Sequence, residues 1–215
     1  MAVGAKIAMA RQAFDSVLGQ LQAGQDEVAV FTFDSALHER RPFTTDLAGV
    51  TSALDEFEPF GSTSLYDATA ATARRLAERS ATHKAIIVLT DGADTSSSLT
   101  APEVSGLASS IAVPVYIVAT VPSIDQRAML EAVARPVESD AADLRDLAEW
   151  TGGQLIFTGS ATETVIAASG LVQELRLQYV LAIEAAGPQR GWRRLDVRVK
   201  RGSATVRARS GYFGG

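Results

Sequence analysis

The run Ile86-Ile87-Val88-Leu89-Thr90 stops abruptly at Asp91-Gly92. An apolar, β-branched run of this length that ends in a turn pair reads as a buried strand. It carries no polar face, so both of its sides must be covered, as in a parallel sheet held between layers of helix. Val28–Phe33, Val113–Thr120 and Gln154–Thr158 are of the same kind, and Lys84–Thr90 is read as a central strand. The stretches between them carry helical patterns. Strands alternating with helices predict an α/β fold with a mostly parallel sheet.

The helices follow from the spacing of apolar residues. Residues 6–22 place Ile7, Phe14, Leu18 and Leu21 on one stripe. Thr45 or Asp46 is read as the cap of a helix whose Leu47, Val50, Leu54 and Phe57 share a face. Ser64 with Asp67 three residues on has the form of a capping box, and opens an Ala-rich helix to about Ser80. Pro102 fits the first turn of a helix running to about Ala112. Asp140–Thr151 is a helix stopped by Gly152-Gly153, and 161–177 is the last helix. Ala36–Phe43 is more charged and contains Pro42, which suits an edge strand. Residues 121–139 read as irregular or partly helical.

The last stretch changes period. Leu195, Val197 and Val199 alternate with Arg194, Asp196, Arg198 and Lys200, the pattern of a half-buried antiparallel strand. Tyr179–Glu184 and Thr205–Arg209 are its expected partners, with turns at Gly187-Pro188 and Arg201-Gly202-Ser203. Charge divides the chain at the same place. The net charge is −5, but residues 1–177 hold 12 basic and 23 acidic residues, whereas 178–215 hold eight basic residues against Glu184 and Asp196. Two units are expected, 1–177 and a β extension at 178–215. Arg194, Arg198 and Lys200 form either a solvated strand face or a patch for anions. No ladder of aromatics accompanies them, so nucleic acid is not expected as a partner.

Composition excludes several classes. A hydrophobic fraction of 47% is that of a packed globular chain. No apolar run approaches the roughly 20 residues that span a bilayer. Zero cysteines exclude disulfides and thiolate metal sites, and two histidines are too few for an imidazole cluster. No G-x-G-x-x-G, P-loop or G-x-S-x-G pattern is present, so the chain is read as a binder rather than an enzyme.

Two polar loops remain as the candidate site. Gly61-Ser62-Thr63-Ser64-Leu65-Tyr66-Asp67-Ala68 precedes a helix, and Asp91-Gly92 follows the central strand. Ligands of α/β sheets sit at the carboxyl ends of the strands. The loops would present the Thr63 hydroxyl and the Asp91 carboxylate there, and hard oxygen donors suit Mg²⁺ or Ca²⁺. Ser62, Ser64, Asp67 and Asp94 are supporting candidates. Asp67 is read mainly as a helix cap, and Asp94 as the best placed to position a ligand residue.

These loops, with Val28-Ala29-Val30-Phe31-Thr32-Phe33-Asp34 and Leu147-Ala148-Glu149-Trp150-Thr151-Gly152-Gly153, resemble the von Willebrand factor type A domain. The resemblance covers roughly residues 1–177. The tail, ending Arg207-Ala208-Arg209-Ser210-Gly211-Tyr212-Phe213, is similar to that of a bacterial VWFA-related subgroup. The resemblance implies a three-layer, Rossmann-like fold with sheet order 3-2-1-4-5-6. It also implies a metal-ion-dependent adhesion site built from an Asp-x-Ser-x-Ser loop, a Thr in a second loop and an Asp in a third. Thr63 and Asp91 match the second and third. A protein partner's acidic side chain would complete the metal shell, and the subgroup implies a secreted or cell-envelope location if a signal lies upstream.

One departure stands out. No Asp-x-Ser-x-Ser precedes Val28, and Met1 stands where the residue after that loop would be. On the resemblance the chain lacks the first strand, in the middle of the sheet, and three of five ligands. Either upstream sequence supplies that strand, the preferred reading, or Val28–Phe33 and Lys84–Thr90 pair directly. Two donors with one negative charge fall short of the six oxygens Mg²⁺ takes, so cation affinity is expected to be weak or absent. The expected function is an adhesion-type, ligand-binding module with an incomplete metal site. The alternatives are a metal-independent scaffold and, third, a metal-assisted hydrolase.

Overall fold

A computed structural model describes residues 3–55, 62–91, 94–110, 112–121, 140–182, 191–200 and 206–214. Helices alternate with strands along most of this length. The order is α1 (Val3–Leu18), β1 (Val28–Phe33), β2 (Leu37–Thr44), a 3₁₀ turn (Thr51–Leu54), α2 (Leu65–Ala77), β3 (Ile86–Thr90), α3 (Ala101–Ser110) and β4 (Val115–Thr120). Then come α4 (Asp140–Thr151), β5 (Leu155–Thr158), α5 (Ala161–Arg176), β6 (Gly191–Arg194) and β7 (Gly211–Gly214).

The parallel sheet runs β3-β4-β5. Its register pairs Ile86 with Val115 and Ile117 with Leu155. β4 is central, and all six of its residues are buried. Because successive side chains point to opposite faces, the apolar runs fill two cores at once. Ile86, Val88, Val115 and Ile117 pack with Leu65, Val104, Leu144 and Leu147 of α2, α3 and α4. Tyr116 and Val118 pack with Leu171 of α5, and Ile87 and Leu89 join them. The fold is therefore the predicted α/β arrangement, with helices on both faces of a parallel sheet.

β1 and β2 form a separate antiparallel pair with an irregular register between Val28 and Phe31. β1 does not pair with β3, so the direct-pairing alternative is not what the structure adopts. Helices carry β1–β2 instead. Leu18 of α1 is buried with Val30 and Val50. Ser16 Oγ of α1 lies 2.6 Å from Ser169 Oγ of α5. Arg75 of α2 and Arg79 just after it pair with Glu39 and Glu27 and lie over the rings of Phe31 and Phe43.

Three expectations need correction. The helix read from Thr45 or Asp46 is only the 3₁₀ turn Thr51–Leu54, preceded by turns. Local bonds compete with the helix there: Thr44 Oγ1 accepts from Asp46 N, Asp46 Oδ1 accepts from Ala48 N, and the Gly49 carbonyl accepts from Arg41 at 2.6 Å. Val50 is fully buried as expected of its stripe, and Phe57 lies outside the described residues. The capping box of Ser64 and Asp67 does not form, since Ser64 makes no side-chain cap bond.

The third correction concerns the tail. The alternating stretch 195–199 is not a strand, and neither are 179–182 or 206–209. Pairing falls outside it, where β6 meets β7 with Trp192 opposite Phe213 and Arg193 opposite Tyr212. Alternation specifies a strand only where one face has a layer to cover it, and Val197 and Val199 remain exposed. Residues 183–184, 187–188, 201–203 and 205 lie outside the described residues, as does the 122–139 segment.

The tail nevertheless docks on the α/β layer. Arg207 pairs with Glu174 of α5 and donates to Gln154 Oε1 at 2.6 Å. Ser210 N donates to the Trp150 carbonyl at 3.3 Å. Glu174 also accepts from the Tyr116 hydroxyl at 3.3 Å, and Gln178 Nε2 donates to that hydroxyl at 2.6 Å. Burial, and then the negative charge of Glu174, push the Tyr116 phenol up to about 12.

Candidate functional site

The carboxyl ends of β1 and β3 open into loops that are bonded to one another. Ser64 N donates to the Asp34 carbonyl just after β1, at 2.7 Å. Thr63 N donates to Thr95 Oγ1 at 2.8 Å, and the Thr63 carbonyl accepts from Thr95 N at 2.8 Å and from Ser96 N at 3.2 Å. Ser64 Oγ is 2.8 Å from Ser96 Oγ. The loop before α2 is thus stitched to the loop after β3, and Thr63 takes part through its backbone. Buried Ser64 serves this contact in place of a helix cap.

The carboxylates are turned into the same stitching. Asp94 Oδ1 accepts from Tyr66 N at 3.2 Å and from Ser97 Oγ, while its Oδ2 accepts from Ser97 N at 3.0 Å. The Asp67 oxygens accept from Ser98 N and Leu99 N, each at 2.9 Å, and Asp67 N donates to Ser97 Oγ at 3.0 Å. Asp67 therefore satisfies amides of the facing loop, not those of its own helix. Asp34 Oδ1 accepts from Ala36 N at 2.9 Å, and that bond leads the influences that hold its carboxyl below the usual range.

Asp91 is different. It is exposed, and its Oδ2 lies 2.9 Å from Nζ of Lys6 in the first turn of α1. Ser62 is exposed at the lip of the same loop cluster. Thr95, Ser96, Ser97 and Lys6 were not legible as site residues. The serines belong to a polar run that sequence alone reads as solvated, and Lys6 is 85 positions from its partner. Arg194, Arg198 and Lys200 are exposed on the tail, where Arg198 pairs with Asp196.

The comparisons agree with this architecture. Residues 1–93 match the family model described as the von Willebrand factor type A domain. Over that stretch the chain is similar to von Willebrand factor type A domains. BatB, a conserved hypothetical protein from Bacteroides thetaiotaomicron, is similar in fold with a TM-score of 0.61 at 16% identity, over 80% of this chain and 89% of that one. A von Willebrand factor type A protein from Catenulispora acidiphila gives a TM-score of 0.62 at 14% identity, over 79% of this chain and 38% of that one. The vWF domain of the type V pili tip protein Mfa5 from Porphyromonas gingivalis gives 0.57 at 10% identity, over 84% and 91%. No curated protein matches the chain by sequence.

The type A resemblance implies Mg²⁺ or Ca²⁺, and the residues present do not fit such an ion. Among the described residues, no group of three or more acidic, histidine or cysteine side chains converges on one point. Asp34, Asp67 and Asp94 are committed to backbone amides, and the negative charge of Asp91 is matched by the Lys6 ammonium. A hydroxyl such as that of Thr63 is a neutral donor and brings no charge to a shell.

Proposed function

We propose that this type A domain is a protein-recognition module whose partner docks on the loops at the carboxyl ends of β1 and β3 without needing a divalent ion. The observation that carries the reading is the cross-bonding of the loops around Thr63 and Asp94. A loop surface fixed in advance loses little entropy when it binds. Backbone amides that would otherwise need water are satisfied by Asp67 and Asp94, which leaves Ser62, Thr95 and Ser98 as a rigid polar surface. The function is binding rather than catalysis. The vWF domain of the pili tip protein Mfa5 shares this fold.

The competing adhesion reading routes binding through a cation whose shell the partner's carboxylate completes. A photo-crosslinking residue placed at Ser62, with a second at exposed Gln173 of α5 as the control, separates the two. The expected result is a partner adduct from Ser62 only, unchanged by EDTA and lost in Asp94→Ala. Adducts from Gln173 alone would refute the docking surface, and adducts abolished by EDTA would restore the metal-dependent reading.

A further inference from the structure

Lys6 and Asp91 form the one ion pair at this sheet end that joins α1 to the loop after β3, among the described residues. The lysine side chain is 25% exposed and the aspartate side chain 56%. The lysine stem is therefore largely covered while its charge meets a carboxylate that faces solvent. Its helix is firmly placed. α1 is bonded to α5 through Ser16 and Ser169, its Leu18 is buried, and its Arg11 donates to the carbonyls of Leu54 and Asp55.

We infer that Lys6 is a built-in cation of this site: its ammonium takes the place at Asp91 that a divalent ion would need, and makes the loop cluster select against such ions. The inference rests on the recognition surface proposed above and explains why that surface works without metal.

Among the described residues, Asp91 is the carboxylate of the cluster not turned into backbone amides, so it is the natural first donor for an incoming ion. Any ion that takes Asp91 must expel Lys6, leaving an ammonium next to a divalent charge. Expulsion also exposes the covered lysine stem, since long side chains bury their methylenes against apolar surface. Among the described residues, what remains to attract the ion is a neutral hydroxyl and one carboxylate, against the six oxygens and several charges of sites that hold Mg²⁺ or Ca²⁺ well.

The test uses the partner-free chain with MnCl₂ as the probe, followed by calorimetry. The wild type should bind Mn²⁺ no more tightly than about 1 mM, as expected of low-charge oxygen sites, and Asp91→Asn should leave that value unchanged. Lys6→Gln should tighten binding by up to about five-fold, the size expected when an exposed ion pair no longer competes. Lys6→Arg should behave as wild type, and Lys6→Gln with Asp91→Asn should lose the gain. Equal affinities in wild type and Lys6→Gln would overturn the inference, as would a gain that survives Asp91→Asn. So would a micromolar wild-type site abolished by Asp91→Asn, a comparison that needs no change at Lys6. Because no partner is present, failure here leaves the crosslinking result at Ser62 standing, and the reverse holds as well.

Discussion

Thr151 and Gly153 show how much of this fold depends on single atoms. Thr151 Oγ1 accepts from the buried Val115 N at 3.0 Å and donates back to the carbonyls of α4, at 3.0 Å from Leu147 O and 2.9 Å from Ala148 O. Thr151→Val keeps the shape and removes the acceptor, leaving a buried amide unpaired. The expected loss is about 1–3 kcal/mol in urea unfolding. Gly153 is tighter still, for a Cβ built there falls 2.0 Å from the Val115 carbonyl oxygen. Gly153→Ala must push α4 and β4 apart, so it should destabilise more than Thr151→Val does, and equal midpoints would contradict the close packing. The Gly152-Gly153 pair was legible as a helix stop, and Gly152 does take the left-handed conformation with φ of 89°. The contact with Val115 was not legible, because nothing local to residue 153 encodes a neighbour almost forty positions upstream. The same limit hid Lys6 behind Asp91.

At the scale of elements, apolar runs were read well and polar stretches poorly. A run such as Val115–Thr120 has one way to escape water, so its sequence alone specifies a covered strand. Ser, Thr and Asp can satisfy a helix end or a distant loop equally well, and only the assembled molecule decides between them. Ser64 and Asp67 have the spacing of a box and serve the facing loop. Two other sets do close on their own helices. Thr100 N and Oγ1 both donate to Glu103 Oε2 at 2.8 Å, and Ser160 accepts from Glu163 N while Glu163 Oε2 accepts from Gly159 N. The Thr100 amide first, and then its hydroxyl, hold the Glu103 carboxyl below the usual glutamate range. A depressed carboxyl stabilises the fold at neutral pH, and that contribution disappears as pH falls through the folded value. Glu103→Gln should therefore lose less of its urea midpoint than wild type does between neutral and acid pH. Parallel acid profiles for the two proteins would remove Glu103 from the account.

Over the whole molecule, strand pairing sets a gradient of protection. β4 is paired on both sides and buried throughout, whereas among the described residues β1 is paired only with β2 and does not meet β3. Amide exchange should be slower in β4 than in β1 by on the order of ten-fold or more, measured residue by residue under native conditions. Equal protection would mean that something other than strand pairing holds β1. The tail is fastened by Arg207 on Glu174 and by Ser210 on Trp150, side-chain and loop contacts that no periodicity could announce.

The parallel β3-β4-β5 pairing also fixes when the protein can begin to exist. Residues 86–90 must find 115–120, and these must find 155–158, each across a long crossover. Closing such loops precedes any reward from the contacts they bring, so refolding should be governed by strand assembly and not by helix formation. On the ribosome, the middle strand has only one neighbour until residue 158 has left the exit tunnel. Synthesis must therefore run past residue 158 before the polypeptide's centre can close.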